Sequence, residues 1–354
     1  MLILLIAVDK SREIYLKPFT EKLLQYNIKA KIVDDLQIYE STKSNKILRW
    51  LKTPSKFNEL IDDFKPDMVF TERTSHFCSL LSKHNIPFIV FLRGDYWQEY
   101  KIAKNKTKSI QQIIKLRVKH RIASNCFNAS TAILPICKYL EKVVEQKYPE
   151  KNIHKLYQGI DIENWSKINS KLKLKHPCIG FLQGAKIYDK AKEMKILSEV
   201  IKHYPNITFY WAGDGPYRNE ILSVLENHEN FKWLGELDYP DKVKEFLSEI
   251  DIYGLCTGLD MSPHTILEAG ILEKPTIATN VGGISESIVD KETGLLVEPN
   301  NARDWIEKIG ILINNTDELD RMGKNAGIFI SNNFSWDKIT HDFSKLIKNI
   351  YEEK

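Results

Sequence analysis

The stretch "MSPHTILEAGILEKPTIATNVGG", residues 261–283, contains a helix signal, a strand signal and a glycine loop, in that order. Ser262–Pro263 predicts a helix start, because serine caps helices and proline suits the first helical position. The residue before a proline is pushed out of helical geometry, so Lys274–Pro275 should end this helix after about three turns. The short run Thr276–Thr279 then predicts a buried strand, followed by a loop at Gly282–Gly283. Such a helix–strand unit is typical of a parallel α/β sheet.

The same alternation of short apolar runs and helical patterns extends along the chain. The expected strands are Leu2–Val8, Ala30–Val33, Met68–Phe70, Phe88–Leu92, Ala132–Pro135, Cys178–Leu182, Ile207–Ala212, Lys232–Leu234, Ile252–Leu255, Thr276–Thr279 and Leu295–Val297. Residues 161–175 break the rhythm, because they are polar and lack an apolar face, and are interpreted as a linker. The sequence therefore predicts an α/β protein with two Rossmann-like, doubly wound parallel sheets, in domains at 1–160 and 176–334, with the ligand site in a cleft between them.

Composition limits the class of protein. The chain has 354 residues, 43% of them hydrophobic and 28% charged, and a net charge of +4, which describes a globular protein and permits an anionic partner without requiring one. The five cysteines are dispersed and show no metal-binding spacing, so reduced thiols in a cytoplasmic protein are expected. The opening run MLILLIAV lacks a basic leader and a cleavage site, and is interpreted as a buried strand.

Glu268 lies inside the predicted helix among the apolar residues Ile266, Leu267 and Ala269. A buried carboxylate needs hydrogen-bond donors, because an unpaired one is very costly. The helix start offers free N–H groups and the positive end of the helix dipole, which suit an anion. One interpretation is a bound nucleoside diphosphate, with its phosphates at the helix start and its ribose hydroxyls at Glu268. The other is a structural glutamate paired with a core arginine or lysine, and these residues alone favour neither.

The segment Asp260–Pro299 resembles the family 4 retaining glycosyltransferases, which have the GT-B fold. That family typically has a glutamate, seven residues and a second glutamate, and here Asp260 precedes "EAGILEKPTIATNVGGISESIVDKETGLLVEP" by eight positions. Three further segments resemble family landmarks in the same order: "LYQGIDIENW" (156–165), "WAGDGPYRNEI" (211–221) and "FKWLGEL" (231–237). The resemblance covers roughly the C-terminal two-thirds of the chain.

The resemblance implies roles for the residues around the helix start. Glu268 would bind the ribose hydroxyls of a nucleotide-sugar. Asp260, one methylene shorter than the usual glutamate, would lie near the transferred sugar as a catalytic residue. The loop before the helix would offer N–H groups to the diphosphate, so its residues are expected to bind the donor: Ser262, Pro263, His264 and Thr265.

The family also places an arginine and a lysine, five apart, after the first strand of its C-terminal domain. Fixed cations there neutralise the leaving diphosphate and lower the barrier. In "GFLQGAKIYDKAKEM", residues 180–194, Ala185 stands at the arginine position, and the expected donor-binding residues are Gly184, Lys186 and Lys190. The alternative is a solvated lysine-rich loop.

Two glycine-containing loops follow other strands of the same domain. Gly213 and Gly215 of "GDGPYR" are expected to line the nucleotide site, by resemblance to the family. Glu286, after Gly282–Gly283, is interpreted as a structural cap rather than a catalytic group.

The N-terminal half departs further from the family. Arg93 in "FLRGDYWQEY", residues 91–100, stands about where the family places a histidine near the donor sugar. Arg93 is expected to hold a phosphate or an acidic acceptor, and Asp95 to take the acceptor proton, both as catalytic residues. The alternative is a turn with a surface ion pair. Residues Thr71–Arg73 end another strand and are expected on the acceptor side.

The segment Lys101–Ser124 combines many lysines and arginines with isoleucines on a helical pattern. A basic amphipathic helix of this kind can lie on anionic lipid. The alternative is a helix packed on its own sheet with a solvated basic face.

Together these features predict a retaining glycosyltransferase in glycan biosynthesis. Its N-terminal domain would face the acceptor, its C-terminal domain would bind the nucleotide-sugar, and residues 335–354 would form a helix that returns to the N-terminal domain. The acceptor would be the hydroxyl of a glycan or a lipid-linked glycan, with neither cofactor nor metal, because lysines and the helix dipole can carry the charge. A nucleic-acid partner is not expected. A non-catalytic nucleotide-sugar-binding subunit and a sugar-nucleotide epimerase are the alternatives. The protein is expected in the cytoplasm, with possible peripheral contact at the membrane.

Overall fold

The computed structural model describes residues 1–34, 38, 55–72, 74–107, 109–168 and 170–352. The chain divides into two compact units. The first comprises Met1–Gly159 and Trp336–Lys354, and the second comprises Ile160–Ser335. The second unit thus includes residues 161–175, the segment interpreted above as a linker.

The first unit is built on a six-stranded sheet with the order β2-β1-β3-β4-β5-β6, in which all pairings are parallel. Its strands are β1 Leu2–Val8, β2 Ile28–Asp34, β3 Met68–Thr71, β4 Phe88–Leu92, β5 Ala132–Pro135 and β6 Asn152–Ile153. Its described helices are α1 Glu13–Leu23, α2 Ser55–Phe64, α3 His76–Lys83, α4 Tyr96–Lys106, α5 Ile110–Ala129, α6 Lys138–Lys147 and, from the end of the chain, α14 Trp336–Glu352.

Strand β1 lies inside this sheet and explains the apolar run at the start of the sequence. Leu4 lies opposite Ala30 of β2 and Met68 of β3. Residues 4–8 are buried, as expected for a strand of a parallel sheet covered on both faces. The direction of winding changes between β1 and β3, so ligands of this sheet are expected beside the carboxyl ends of those two strands.

The final helix, α14, packs against the first unit through aromatic side chains. The ring centroids of Trp336 and Phe343 lie 5.2 and 5.1 Å from that of Phe19 on α1. The Phe343 ring also meets Phe70 of β3 edge-on, at 5.7 Å. A Cβ atom on Gly159 would lie 2.4 Å from the Trp336 ring, so only glycine fits where the chain leaves this unit.

The second unit has another six-stranded parallel sheet, with the order β12-β11-β10-β7-β8-β9. Its strands are β7 Cys178–Leu182, β8 Thr208–Ala212, β9 Phe231–Gly235, β10 Ile252–Leu255, β11 Thr276–Thr279 and β12 Gly294–Val297. Its helices are α7 Tyr188–Ala191, α8 Leu197–His203, α9 Arg218–Leu225, α10 Asp241–Glu249, α11 His264–Ile271, α12 Ala302–Ile313 and α13 Thr316–Phe334. The prediction of two doubly wound parallel sheets is confirmed.

The basic segment Lys101–Ser124 is not one helix. Helix α4 ends at Lys106, the backbone of Thr107 is extended, and α5 begins at Ile110. The isoleucines do not form one buried face, because Ile110 and Ile114 are 75% and 56% exposed. Lipid contact by this segment therefore stays a prediction. Among the helices described, none combines the length and apolar character that a membrane crossing requires.

Candidate functional site

The loops singled out in the C-terminal half meet at one edge of the second sheet. Winding reverses between β7 and β10, which are neighbours in the sheet although their loops are about 70 residues apart in sequence. Ligands of doubly wound sheets bind beyond the carboxyl ends of the strands at such a point. The loop after β7 carries Lys190, and the loop after β10 carries Asp260.

Lys190 and Asp260 form an ion pair across this point. The Nζ atom of Lys190 lies 3.2 Å from Oδ2 of Asp260, and the two side chains are 31% and 19% exposed. The second oxygen of Asp260, Oδ1, accepts a hydrogen bond of 2.9 Å from the backbone N–H of Met261. The structure therefore brings the predicted catalytic acid and one predicted donor-binding cation together, with partial access to solvent.

Gln183, which the sequence analysis did not single out, joins the same two loops. Its side-chain Nε2 donates to the carbonyl oxygen of Cys256 at 2.9 Å, and its Oε1 accepts from the N–H of Cys256 at 3.1 Å. Gln183 follows β7 directly and Cys256 follows β10 directly. The sequence signal for Gln183 was its position as a polar residue directly after a strand. Its partner, Cys256, lies 73 residues further along the chain, so the sequence alone did not connect the two.

The Gly282–Gly283 loop after β11 contacts the backbone of Asp260. Gly282 has a φ of 57°, and a Cβ atom there would lie 1.9 Å from the carbonyl oxygen of Asp260. The N–H of Gly283 donates to that same oxygen at 3.3 Å. Glycine is thus required at 282 both for its backbone conformation and for this close approach.

The helix after Asp260 differs from the prediction at both ends. Helix α11 spans His264–Ile271 and is preceded by Pro263 in an extended conformation, so Ser262 does not cap it and Pro263 is not its first residue. Helical geometry ends before Glu273, whose φ is 56°. The expected three turns are therefore about two. Ser262 and Pro263 instead belong to the loop that joins Asp260 to the helix.

Glu268 lies on α11 and is 2% exposed. Its Oε1 lies 2.9 Å from Nδ1 of His264, one turn earlier on the same face. The alternative interpretation named arginine or lysine as the partner of this carboxylate, whereas the partner seen here is a histidine that is itself a predicted donor-binding residue.

Tyr253 of β10 ties the start of α11 to the sheet. Its hydroxyl donates a 2.6 Å hydrogen bond to Oγ1 of Thr265. Burial raises the pKa of Tyr253, and the carboxylates of Glu268 and Asp260 raise it further. The tyrosine therefore stays neutral and continues to hold Thr265 across the ordinary pH range.

The loop after β8 packs closely on the loop after β7. A Cβ atom on Gly213 would lie 2.1 Å from the carbonyl oxygen of Gln183, and one on Gly215 would lie 2.4 Å from that of Ala185. The φ angles of these glycines are 150° and 154°. Both glycines thus hold the β7 loop in position, and their predicted contact with a nucleotide stays a prediction.

The remaining predicted residues of the β7 loop differ in exposure. Ala185, at the position of the family's arginine, is fully buried and offers no charge to a ligand. The side chain of Lys186 is 75% exposed and lies 4.0 Å from Glu236, a weak surface pair. Gly184 is exposed beside it. Of the two predicted donor-binding lysines, Lys190 is therefore the one that contacts Asp260.

In the first unit, the two predicted catalytic residues follow β4. The carboxylate of Asp95 accepts from the N–H of Gln98 at 2.9 Å and so caps helix α4, which is a structural role. Arg93 lies near Glu72 and Gln158, with nitrogen–oxygen distances of 3.8 and 3.4 Å. Arg73, expected on the acceptor side, lies outside the described residues.

One group of residues has the side chains of a metal site. The ligand atoms of His176, Cys178 and Asp251 lie within 4.8 Å of one another. They sit at the amino ends of β7 and β10, the edge opposite Asp260. The Asp251 carboxylate already accepts from the N–H of Cys178 at 2.7 Å and contacts Nδ1 of His176 at 2.9 Å. Through these bonds, the three residues link the start of β7 to the start of β10, which is a structural role.

Comparison with known proteins agrees with the fold. Residues 181–329 match the family described as Glycosyl transferases group 1. An uncharacterized glycosyltransferase of Methanocaldococcus jannaschii is 29% identical over 279 residues, which cover 77% of this chain and 70% of that protein.

Two solved structures share the fold at low sequence identity. Sucrose-phosphate synthase from Thermosynechococcus elongatus superposes with a TM-score of 0.80 at 13% identity, covering 100% of both chains. HepE from Anabaena, in complex with UDP-glucose, superposes with a TM-score of 0.73 at 14% identity, covering 99% of this chain and 100% of that one. The match of residues 181–329 to this family, the related glycosyltransferase and the two parallel sheets together indicate that this chain is a glycosyltransferase with the GT-B fold.

Proposed function

We propose that this protein transfers a sugar from a nucleoside-diphosphate donor to a hydroxyl group, with retention at the anomeric carbon, in glycan biosynthesis. One observation carries the proposal: the Lys190–Asp260 pair lies at the switch point of the second sheet, next to the start of the helix that holds Glu268. The HepE structure with UDP-glucose has the same fold, which supports a donor of this class.

Each group has a role in the proposed reaction. Glu268 accepts hydrogen bonds from the ribose hydroxyls, in place of part of its present contact with His264. The diphosphate lies against the N–H groups at the start of α11 and the ammonium group of Lys190. Asp260 contacts the hydroxyls of the transferred sugar and keeps Lys190 in place between its carboxylate and the diphosphate.

The chemistry follows from this charge arrangement. The bond from the anomeric carbon to the phosphate oxygen breaks, and a bond to the acceptor oxygen forms on the same face. The acceptor proton passes to the phosphate oxygen of the departing diphosphate, which balances the reaction. Negative charge grows on the diphosphate as the bond breaks, and a fixed cation and helix dipole at that position stabilise it without a metal ion.

A two-stage experiment tests the proposal. Thermal-shift measurements with UDP-, GDP-, ADP- and dTDP-glucose identify the donor, because a ligand of the native state raises stability. Glu268→Gln should then weaken donor binding by about ten- to a hundredfold, since hydrogen bonds to a charged group contribute about 1.5–3 kcal/mol. Glu229→Gln, at an exposed carboxylate of the same unit, is the matched control.

Turnover separates the proposal from its alternatives. Asp260→Ala should retain donor binding and lose most of the transfer or donor hydrolysis seen with the wild type. Donor converted to another nucleotide-sugar without acceptor would identify an epimerase instead. Equal, negligible turnover in wild type and Asp260→Ala would contradict the catalytic role of the Lys190–Asp260 pair.

A further inference from the structure

A carboxylate is buried beside the segment that carries Lys190. Glu193 lies in a short 3-10 helix, Lys192–Ile196, which directly follows α7, and it is 2% exposed. Both lysines of this short helix form ion pairs with other acids. Burying a carboxylate away from water is costly unless hydrogen-bond donors replace the water. Glu193 must therefore be held in place by specific partners.

The hydrogen-bond donor to Glu193 comes from a loop three strands away in the sheet. Oε1 of Glu193 accepts a 2.5 Å hydrogen bond from the backbone N–H of Asn300, in the loop between β12 and α12. Asn300 has a φ of 55°, a left-handed conformation that asparagine adopts more readily than most residues. Strands β10 and β11 lie between β7 and β12. Glu193 thus connects the two halves of the sheet across the point where the winding reverses.

The same carboxylate also faces the loop after β10. A Cβ atom on Gly258 would lie 3.7 Å from Oε2 of Glu193 and 2.5 Å from the carbonyl oxygen of Asp189. Burial raises the pKa of the Cys256 thiol, and the charge of Glu193 raises it further, so Glu193 is close to the end of β10 as well. The loops that follow β7, β10 and β12 therefore meet around this one side chain.

These contacts determine where the backbone of Lys190 lies. The N–H of Gly258 donates to the carbonyl oxygen of Lys190 at 3.3 Å, and Nζ of Lys190 lies 3.2 Å from Oδ2 of Asp260. Both contacts are made with the loop after β10. Glu193, three residues later, adds the contact with the loop after β12. The ammonium group of a lysine is carried on a flexible four-carbon stem, so a backbone fixed on two sides is needed to keep that group in one place.

We propose that Glu193 is a positioning residue of the sugar transfer, which keeps the ammonium group of Lys190 where negative charge develops on the departing diphosphate. Its effect passes through the hydrogen bond with Asn300 rather than through contact with the substrates. A backbone N–H can donate to a neutral amide oxygen as well as to a carboxylate, so the position of the acceptor atom is what matters. This inference rests on the proposed function, because Lys190 has this role only if the donor binds beside it.

Two substitutions separate the position of the acceptor atom from its charge. Glu193→Gln keeps an oxygen at the same reach without the charge, whereas Glu193→Asp keeps the charge but is one methylene shorter. We expect kcat for transfer or donor hydrolysis to fall about ten- to a hundredfold in Glu193→Asp, because a displacement of about 1 Å at the reacting groups can have an effect of this size. Glu193→Gln should stay close to the wild type. Glu229→Asp, at an exposed carboxylate of the same unit, is the matched control.

Binding measurements show whether the displacement reaches the phosphates. The nucleotide identified by the thermal-shift screen is titrated calorimetrically in two forms, the nucleoside and the nucleoside diphosphate. Lys190 contacts the diphosphate in the proposed complex, so Glu193→Asp should weaken binding of the diphosphate about tenfold and leave binding of the nucleoside unchanged. A purely structural role of Glu193 would instead lower the melting temperature and weaken both ligands alike.

A double-mutant cycle with Lys190→Met tests whether Glu193 acts through Lys190. Once the ammonium group is absent, Glu193→Asp should cause little further loss of kcat or of diphosphate affinity, because residues that act as a unit have non-additive effects. A loss in the Lys190→Met protein as large as that in the wild type would overturn the inference.

Two other results would also overturn the inference while leaving the proposed function intact. One is a Glu193→Asp protein with wild-type kcat and wild-type affinity for the diphosphate. The other is a folded Glu193→Gln protein that loses as much as Glu193→Asp, since charge rather than position would then carry the effect. The second result can be obtained even if Glu193→Asp fails to fold. A wild-type protein that neither binds nucleotide nor turns over donor would overturn the proposed function, and this inference with it.

Discussion

Replacing Gln183 with leucine should destabilise the second unit and disturb the candidate site together. The side chain of Gln183 forms two hydrogen bonds with the backbone of Cys256, which is fully buried. Leucine has a similar size but no polar atoms, so the N–H and C=O of Cys256 would lose these partners. A buried polar group left unsatisfied costs about 1–3 kcal/mol, and two such groups give an expected loss of about 2–4 kcal/mol after partial relaxation.

Urea unfolding followed by tryptophan fluorescence measures this loss, because the second unit contains Trp211, Trp233 and Trp305. Gln183→Glu is a companion variant, since it keeps the acceptor for the Cys256 N–H but replaces the donor to the Cys256 carbonyl with a carboxylate oxygen, which that carbonyl repels. The hydrogen bond from the Cys256 N–H should persist in this variant. Its loss of unfolding free energy should therefore come mainly from the unsatisfied Cys256 carbonyl. Donor turnover should fall in Gln183→Leu, because the loops that carry Lys190 and Asp260 are no longer joined. A free-energy change below about 0.5 kcal/mol, the size usual for surface substitutions, would refute the reasoning.

Two further predictions concern other contacts of the second unit. Gly282→Ala should lower donor turnover and the melting temperature more than Gly235→Ala does. Both glycines have a positive φ, 57° and 76°, but of the two only Gly282 is placed so that a new Cβ atom would overlap a backbone atom. Equal losses of turnover and of melting temperature in the two variants would contradict this. The pKa of His176 is raised in the folded protein, chiefly by the hydrogen bond to Asp251. Protonated His176 therefore stabilises the fold fully below its unfolded pKa of about 6.5, and this contribution is lost as the pH rises through its pKa in the folded protein. Urea unfolding between pH 6 and pH 9 should therefore show a larger decline for wild type than for His176→Gln, and parallel curves would show that the pair does not contribute.

The fold was predictable because its signals are local. A parallel strand covered on both faces must be apolar along its length, and β1, β4 and β7 were found in the sequence with the bounds that the structure shows. The start of α11 was not predicted correctly, although Ser262–Pro263 is a strong local signal. The carbonyl oxygen of Asp260 is held by the N–H of Gly283, and Pro263 is extended, so contacts with a distant loop keep the chain out of helical geometry until His264.

The candidate site was predictable only in part, because its decisive contacts are between residues far apart in sequence. Lys190 and Asp260 were each identified by resemblance, but their ion pair depends on β7 lying beside β10, a strand order that hydrophobic patterns do not reveal. The same holds for Arg12 and Glu72, which meet because β1 lies beside β3. In both sheets, the neighbouring strands at the reversal of winding carry opposite charges on the loops that follow them. Since their connections leave that edge in opposite directions, these loops separate and a ligand can reach the charges between them. Strand order is thus the missing information, and once it is known, the position of both charged groups follows from the first residues after each strand.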